Sequence, residues 1–246
     1  MNKKKLSEEF WDEMFSKENY NSYGIVDKSN IHYPIIKRAF EHFENVEGKT
    51  VIDLGCGNGA ASLIFAELGA NVISIDLSQN AINNLSNYCK EKGIVNIKTI
   101  KLSALEIDQL ERVDFIFGSM ILHHIEPFKD FALKLKDILV DGGKGFFWEN
   151  NAQSNLIIWF RENIIGKLWI PKYGDYDEFP LTPSEVDELR KYFNINIEYP
   201  ELYYFRLISI YLLRGRFSSL FKFIDDKFYK YPPIRKYSYR QYVLLD

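Results

Sequence analysis

At 246 residues, with 46% hydrophobic and 26% charged side chains and with 16 Tyr and 19 Phe, the chain can bury a sizeable core. That composition excludes disordered, fibrous and low-complexity classes. The formal net charge of −3 is unevenly spread: Tyr203 to Arg240 holds nine basic residues against two acidic ones, Asp225 and Asp226, so that segment is +7 and the remainder −10. An acidic body carrying a basic appendage points to an anionic partner.

The two cysteines, Cys56 and Cys89, have no spacing that suggests a zinc site or a disulfide framework, which fits a reducing, cytoplasmic setting. The start, Met1 to Phe10, is basic but no apolar run follows it, and no stretch of about 18 apolar residues occurs, which argues against secretion and membrane spanning. The four histidines form no ligand-spaced cluster, so no metal site is expected.

Helix-spaced apolar positions run from Glu8 to Phe15 and from Ile31 to Phe43, around a Tyr/Asn/Ser/Gly-rich stretch from Tyr20 to Gly24. A regular alternation starts at Thr50. It comprises a strand at 51–54, a helix at 60–68, a strand Asn71–Asp76, a helix at 78–91, strands at 96–101 and Val113–Phe117, a helix at 127–139 and a strand Gly145–Trp148. This rhythm predicts an α/β fold, a doubly wound and mostly parallel sheet. Beyond Glu149 come a predicted helix Ser154–Trp169, a loop Pro171–Pro180 and a helix opened by the capping box Thr182-Pro-Ser-Glu185. A strand Asn194–Tyr199, two amphipathic helices around 203–213 and 216–229, and a closing strand Gln241–Leu245 complete the chain. The basic stretch is thus placed as an insertion between the last two strands.

The first strand ends in Asp53 and runs into Gly55-Cys56-Gly57-Asn58-Gly59, where absent side chains let the backbone turn tightly against a ligand. A nucleoside cofactor is implied, but Gly55, Gly57 and Ala60 also satisfy the dinucleotide pattern. Asp53 separates the two readings. A carboxylate there repels a pyrophosphate and favours S-adenosylmethionine, which presents a cationic ammonium and sulfonium. Asp76 ends the next strand, 21 residues after Gly55, where its two oxygens can accept a ribose diol of either cofactor type.

The run Val51-Ile-Asp-Leu-Gly-Cys-Gly-Asn-Gly59 resembles the first motif of the class I, Rossmann-like S-adenosylmethionine-dependent methyltransferases, and the resemblance extends from about Thr50 to Asn150. It implies a seven-stranded sheet whose last strand inserts antiparallel beside the fifth, and S-adenosylhomocysteine as product. It also implies that Asp53, Gly55, Cys56 and Gly57 surround the methionyl part, that Asp76 holds the ribose and that Leu77 packs on adenine. Ser103 stands where the family often has Asp or Asn, so adenine recognition is assigned to Ser103 and the backbone near Ala104. Gly118 lends its carbonyl to the cofactor ammonium by the same resemblance.

After the fourth strand, Leu122-His123-His124 is similar to the Leu-His-His of small-molecule members of that family. Methyl transfer needs alignment and, for a hydroxyl acceptor, removal of a proton. His123 is the first candidate base and His124 the second, with packing as the alternative for both. Glu149, at the end of the fifth strand, is read as orienting His123, binding substrate, acting as a base, or standing as a solvated strand-end carboxylate. Tyr20 and Tyr23 are candidates for the mouth of the site, and Trp11 for either that role or packing. Arg206 and Arg214 are candidates for contacts to an anionic acceptor.

The chain is therefore expected to be one domain over 1–246. Cover helices occupy 1–48, a cofactor-binding core 49–151, and the C-terminal half 152–246 carries the basic helical insertion 203–240. The expected function is methylation of O or N on a small, anionic, phosphorylated or nucleotide-linked metabolite, by a monomer or homodimer. A nicotinamide-dependent oxidoreductase and a silent cofactor-binding module are the alternatives. Nucleic acid is disfavoured by the acidic body and the lack of a recognisable module. A membrane-surface contact through Leu207–Leu213 is the weaker reading of the basic lobe.

Overall fold

The computed structural model describes residues 3–16, 32–167 and 179–246. The described elements are α1 (Lys3–Ser16), α2 (His32–Phe43), β1 (Thr50–Leu54), α3 (Ala60–Glu67), β2 (Asn71–Asp76), α4 (Gln79–Lys92), β3 (Ile97–Lys101), β4 (Val113–Ser119), α5 (Phe128–Ile138) and β5 (Leu139–Asn150). They continue with α6 (Asn155–Asn163), α7 (Pro183–Leu189), β6 (Ile195–Glu198), α8 (Phe205–Leu212), α9 (Ser218–Tyr229), α10 (Pro232–Arg235) and β7 (Arg240–Leu245). Short 3₁₀ turns at Ala104–Gln109 and Leu122–His124 follow β3 and β4.

The strands form one sheet in the order β3-β2-β1-β4-β5-β7-β6. Pairs from β3 through β5 are parallel, whereas β7 is antiparallel to both β5 and β6. The chain winds from β1 outward to β3, then returns to place β4 on the other side of β1. This switch leaves a crevice at the carboxyl ends of β1 and β4, where sheets of this kind bind ligands.

Period-two alternation divides the core into two layers. Ile52, Ile116, Phe147 and Val243 face α5 and α7 through Phe131, Leu135, Val186 and Leu189. Val51, Phe117, Phe146 and Leu244 face α2 and α3 through Ile36, Ala39, Phe43 and Phe65. Phe65, Phe117, Phe131, Phe146 and Phe147 are fully buried, each contributing about 1.5–3 kcal/mol by removal from water.

Local signals hold at the helix ends. The Ser78 side chain caps α4 by accepting from the Ala81 N–H, Gly93 ends that helix in a left-handed conformation, and the Thr182/Glu185 capping box is complete. Two boundaries and one additional element differ from the sequence expectation. α5 passes directly into β5, because Leu139 already pairs with Val113 and a register shift takes up the Gly142–Gly143 segment. The helix expected over Ser154–Trp169 ends at Asn163, before Gly166 takes a left-handed backbone; Leu168 and Trp169 lie outside the described residues. The short α10, begun by Pro232 and Pro233, was not anticipated.

The insertion leaves β6 and re-enters at β7, and both of these junctions lie on the carboxyl edge of the parallel strands. Its two main helices are tied by Asp225 of α9, which is buried. Its carboxylate accepts from the backbone N–H groups of Tyr204, Phe205 and Arg206 at 2.9, 2.8 and 3.1 Å, in place of a side-chain cap at the start of α8. Asp225→Ala is expected to cost about 2–3 kcal/mol in urea unfolding, since three donors lose a charged acceptor. Hydrogen exchange should rise first at the α8 amides; an unchanged unfolding midpoint and unchanged α8 protection would refute the assignment.

Candidate active site

Gly55, Gly57 and Gly59 all have positive φ, at 68°, 50° and 80°. At Gly55 a Cβ would lie 2.7 Å from Ile121 Cδ1, so the turn after β1 and the loop after β4 approach too closely for any side chain. At Gly59 it would meet Leu85 of α4 at 2.5 Å. The Gly57 N–H donates to Asp76 Oδ2 at 2.9 Å, and the Ser78 N–H donates to Asp76 Oδ1 at 2.8 Å. The end of β2 is thereby fastened to the turn, with Leu77 half-buried beside it.

Asp53 is buried, and Ser62 Oγ donates to its Oδ2 at 2.5 Å while standing 2.6 Å from Ser74 Oγ. Burial pushes the Asp53 carboxyl up to about 6, against the lowering effect of the Ser62 hydrogen bonds and with a smaller contribution from the charge of Asp76. Burial likewise raises Asp76, and it drives the Cys56 thiol well up with help from both carboxylates. A cationic ligand relieves this accumulation of negative charge and a pyrophosphate aggravates it, so the residues present fit a sulfonium and ammonium.

Ser103 is buried just beyond β3, and its Oγ accepts from the Leu105 N–H at 3.3 Å, capping the 3₁₀ turn that begins with Ala104. Gly118 is buried in β4, where a Cβ would meet Ile121 and Phe147 at 2.7 Å.

Glu149 at the end of β5 is fully buried, which rules out the solvated carboxylate considered from sequence. Its Oε1 accepts from the Ile121 and Leu122 N–H groups at 2.8 and 2.7 Å, and its Oε2 lies 2.5 Å from His123 Nδ1. The carboxylate thus fixes both the loop and the ring, and Nδ1–H donating to Oε2 makes Nε2 the basic nitrogen of the neutral imidazole. The His124 ring turns toward α1, 5.5 Å from that of Trp11 in an edge contact.

Sequence reasoning missed how α1 seats on the site. Asp12 Oδ1 accepts from Ser78 Oγ at 2.8 Å and from the Asn80 N–H at 2.9 Å, which holds its carboxyl below the usual range. Phe15 lies over the turn, 3.1 Å from where a Gly57 Cβ would be. Asp12 and Ser78 are 66 residues apart, and only the cap at Ser78 carries a local signal. Gln241 was also missed. It is buried directly across the β5–β7 pair from Glu149, and its Nε2 has no hydrogen-bond partner among the described residues.

Tyr20 and Tyr23 lie outside the described residues. Arg206 is not available as a phosphate contact: its guanidinium pairs with Glu201, stands 3.5 Å from Asp225 and lies over the Tyr203 ring. Arg214 is exposed in the turn between α8 and α9. Among the described residues no group of His, Cys, Asp and Glu could hold a metal ion.

The methyltransferase-domain family matches residues 51–143. A ubiquinone biosynthesis O-methyltransferase of Rickettsia felis is 30% identical over 191 residues, spanning 72% of this chain and 76% of that one. The geranyl diphosphate C-methyltransferase of Streptomyces coelicolor, solved with Mg2+, geranyl diphosphate and S-adenosyl-L-homocysteine, shares the fold with a TM-score of 0.62 at 14% identity, over 97% and 96% of the two chains. Coclaurine N-methyltransferase does so with a TM-score of 0.60 at 13% identity, over 99% and 85%. The chain belongs to the class I S-adenosylmethionine-dependent methyltransferases, with S-adenosylmethionine as methyl donor. The oxidoreductase and silent-module alternatives are set aside by that membership.

The raised Asp53 carboxyl has a consequence for stability. Between about pH 4 and 6 the native state holds a proton that the unfolded chain has released, so stability falls as pH rises through that window. A shift of about two units corresponds to about 3 kcal/mol of cost at neutral pH. Asp53→Asn is therefore expected to be at least as stable as the parent at pH 7 and to lose that advantage toward pH 4, as measured by urea unfolding. Parallel pH dependences of the two proteins would contradict the assignment.

Proposed function

We propose that the chain methylates a hydroxyl oxygen of a small-molecule acceptor, with His123 as the base and Glu149 as the residue that positions it. The observation that carries this reading is the buried His123–Glu149 pair at the ends of β4 and β5, whose carboxylate is held by two backbone N–H groups. Bound S-adenosylmethionine supplies an electrophilic methyl group on a sulfonium. Asp76 accepts from the ribose hydroxyls, while Asp53, Gly55, Cys56 and Gly57 border the methionyl part. Leu77, Ser103 and Ala104 flank the adenine, and the Gly118 carbonyl accepts from the ammonium.

A neutral amine needs no proton removed before it attacks, whereas a hydroxyl gains nucleophilicity as its proton leaves. A base held by a carboxylate therefore favours oxygen over nitrogen. The acceptor that best suits an imidazole is an acidic, phenol-like hydroxyl, whose reference pKa near 10 lies within about four units of histidine. The name of the Rickettsia felis relative, an O-methyltransferase, agrees with oxygen as the acceptor atom. Because Arg206 is engaged within the lobe, a phosphate clamp has little support. The negative charge is read instead as the one that develops on the acceptor oxygen. The Nε2 of Gln241, across the β5–β7 pair from Glu149, would donate to a polar substituent of the same acceptor. The whole chain is read as one domain, its insertion walling the acceptor side.

His123→Ala is expected to lower kcat by about 10²- to 10⁴-fold while leaving donor affinity by calorimetry unchanged. Glu149→Gln should lower kcat in the same direction. Mass spectrometry after incubation with methyl-labelled donor and a panel of phenols, alcohols and amines should find a methyl ether. Turnover retained in His123→Ala would reduce the enzyme to alignment alone, and products only from amines would sink the oxygen assignment.

A further inference from the structure

Residues of α8, α9 and the turn between them expose apolar surface that the fold does not use. Phe217, Leu220 and Phe223 are 66%, 54% and 58% exposed, and Leu212 at the end of α8 is exposed as well. On α9, Leu220, Phe223 and Lys227 share one face at helical spacing, with the Lys227 ammonium 5.2 Å from the centre of the Phe223 ring. Asp225 lies on another side of α9, buried against the start of α8, and Phe228 packs on Phe205 there. The outward face is therefore apolar and cationic, while the inward face does the structural work.

The turn adds a second observation. Arg214, Gly215 and Phe217 all have positive φ, at 52°, 80° and 60°. A bulky aromatic in the left-handed region costs conformational energy, and Phe217, left 66% exposed, gains little burial in return. Neither packing nor backbone preference accounts for its position.

Charge identifies the partner. Arg214, Arg216, Lys222, Lys227, Lys230 and Lys236 are exposed on this lobe. Of its two acidic residues, Asp225 is buried and Asp226 is paired with Lys222 at 2.7 Å. The lobe therefore presents cations and aromatics together, on a body of opposite sign. A second copy of this chain would bring the same cations to the same face, and nucleic acid offers its phosphates but no apolar phase for Phe217, Leu220 and Phe223. An anionic lipid surface satisfies both properties at once, with the aromatics in the interface and the ammonium groups among the headgroups.

We propose that the outer face of α9 and the Arg214–Phe217 turn dock the protein on an anionic lipid surface. The insertion springs from the carboxyl edge of the sheet, and Asn151 Nδ2, just past β5, donates to the Lys236 and Ser238 carbonyls at 3.0 and 2.9 Å. Docking through this lobe therefore sets the edge bearing His123 and Glu149 on the same end of the molecule as the membrane contact. The inference holds whichever acceptor atom is methylated.

The test is flotation of the full chain with vesicles of phosphatidylcholine alone and of phosphatidylcholine mixed with phosphatidylglycerol. Binding is expected to the mixed vesicles, to weaken as salt is raised, and to fall at least about tenfold in a Lys227→Glu/Lys230→Glu double variant. The Leu220→Ser/Phe223→Ser double variant should lose binding while keeping the parent unfolding midpoint and donor affinity, since both side chains are exposed. Failure to bind mixed vesicles would overturn the proposal, as would equal binding to both vesicle types that neither variant reduces. Concentration-dependent self-association abolished by Leu220→Ser/Phe223→Ser, without vesicle binding, would assign the face to a second copy and also overturn it.

Discussion

The carboxylate of Glu149 brings two separate parts of the chain, the end of β5 and the loop after β4, into one place. It ends β5, it accepts from the backbone of the loop after β4, and it holds the ring of His123. A buried carboxylate costs several kcal/mol in lost hydration, which only a full set of hydrogen bonds can offset. Hydrogen bonds to a charged acceptor are each worth about 1.5–3 kcal/mol, so three of them are enough to hold the group where it is. The rigidity of the loop and the orientation of the imidazole are thus consequences of one solvation problem and its solution.

The cofactor side is built on the same economy of contacts. Asp76 joins the end of β2 to the glycine turn, and Asp12 joins α1 to the beginning of α4, immediately after it. Through Trp11 and Phe15 the same helix reaches both His124 and Gly57. A cover helix that touches both the glycine turn and the histidine loop packs against the two halves of the site at once.

Electrical asymmetry runs through the whole molecule. Asp53 and Asp76 concentrate negative charge at the ends of β1 and β2, which suits a cationic donor, while the insertion at the same edge is positive and aromatic on its outer surface. The opposite signs separate two tasks. On the reading proposed above, one part of the edge receives the cationic donor and the other meets an anionic lipid surface.

The Gly55–Gly59 turn, Asp53, Asp76 and the strand–helix rhythm were legible in the sequence, because backbone geometry and period-two or helical burial depend on residues close together in the chain. So were the Thr182 capping box and the closing strand, whose antiparallel place beside the fifth strand was implied by the family resemblance. The partners of the long-range groups were not. Glu149 could be read from sequence as solvated or as a support for His123, and only the approach of β5 to β4 decided between them. Arg206 looked available until the fold brought Glu201 and Asp225 beside it, and Asp12 had no signal at all because its partners lie in another element. Local sequence determined most of the elements that form and the class of cofactor. Tertiary structure alone decided which charges are neutralised and which remain to do chemistry, since burial and pairing across the sheet are properties of residues distant in the chain.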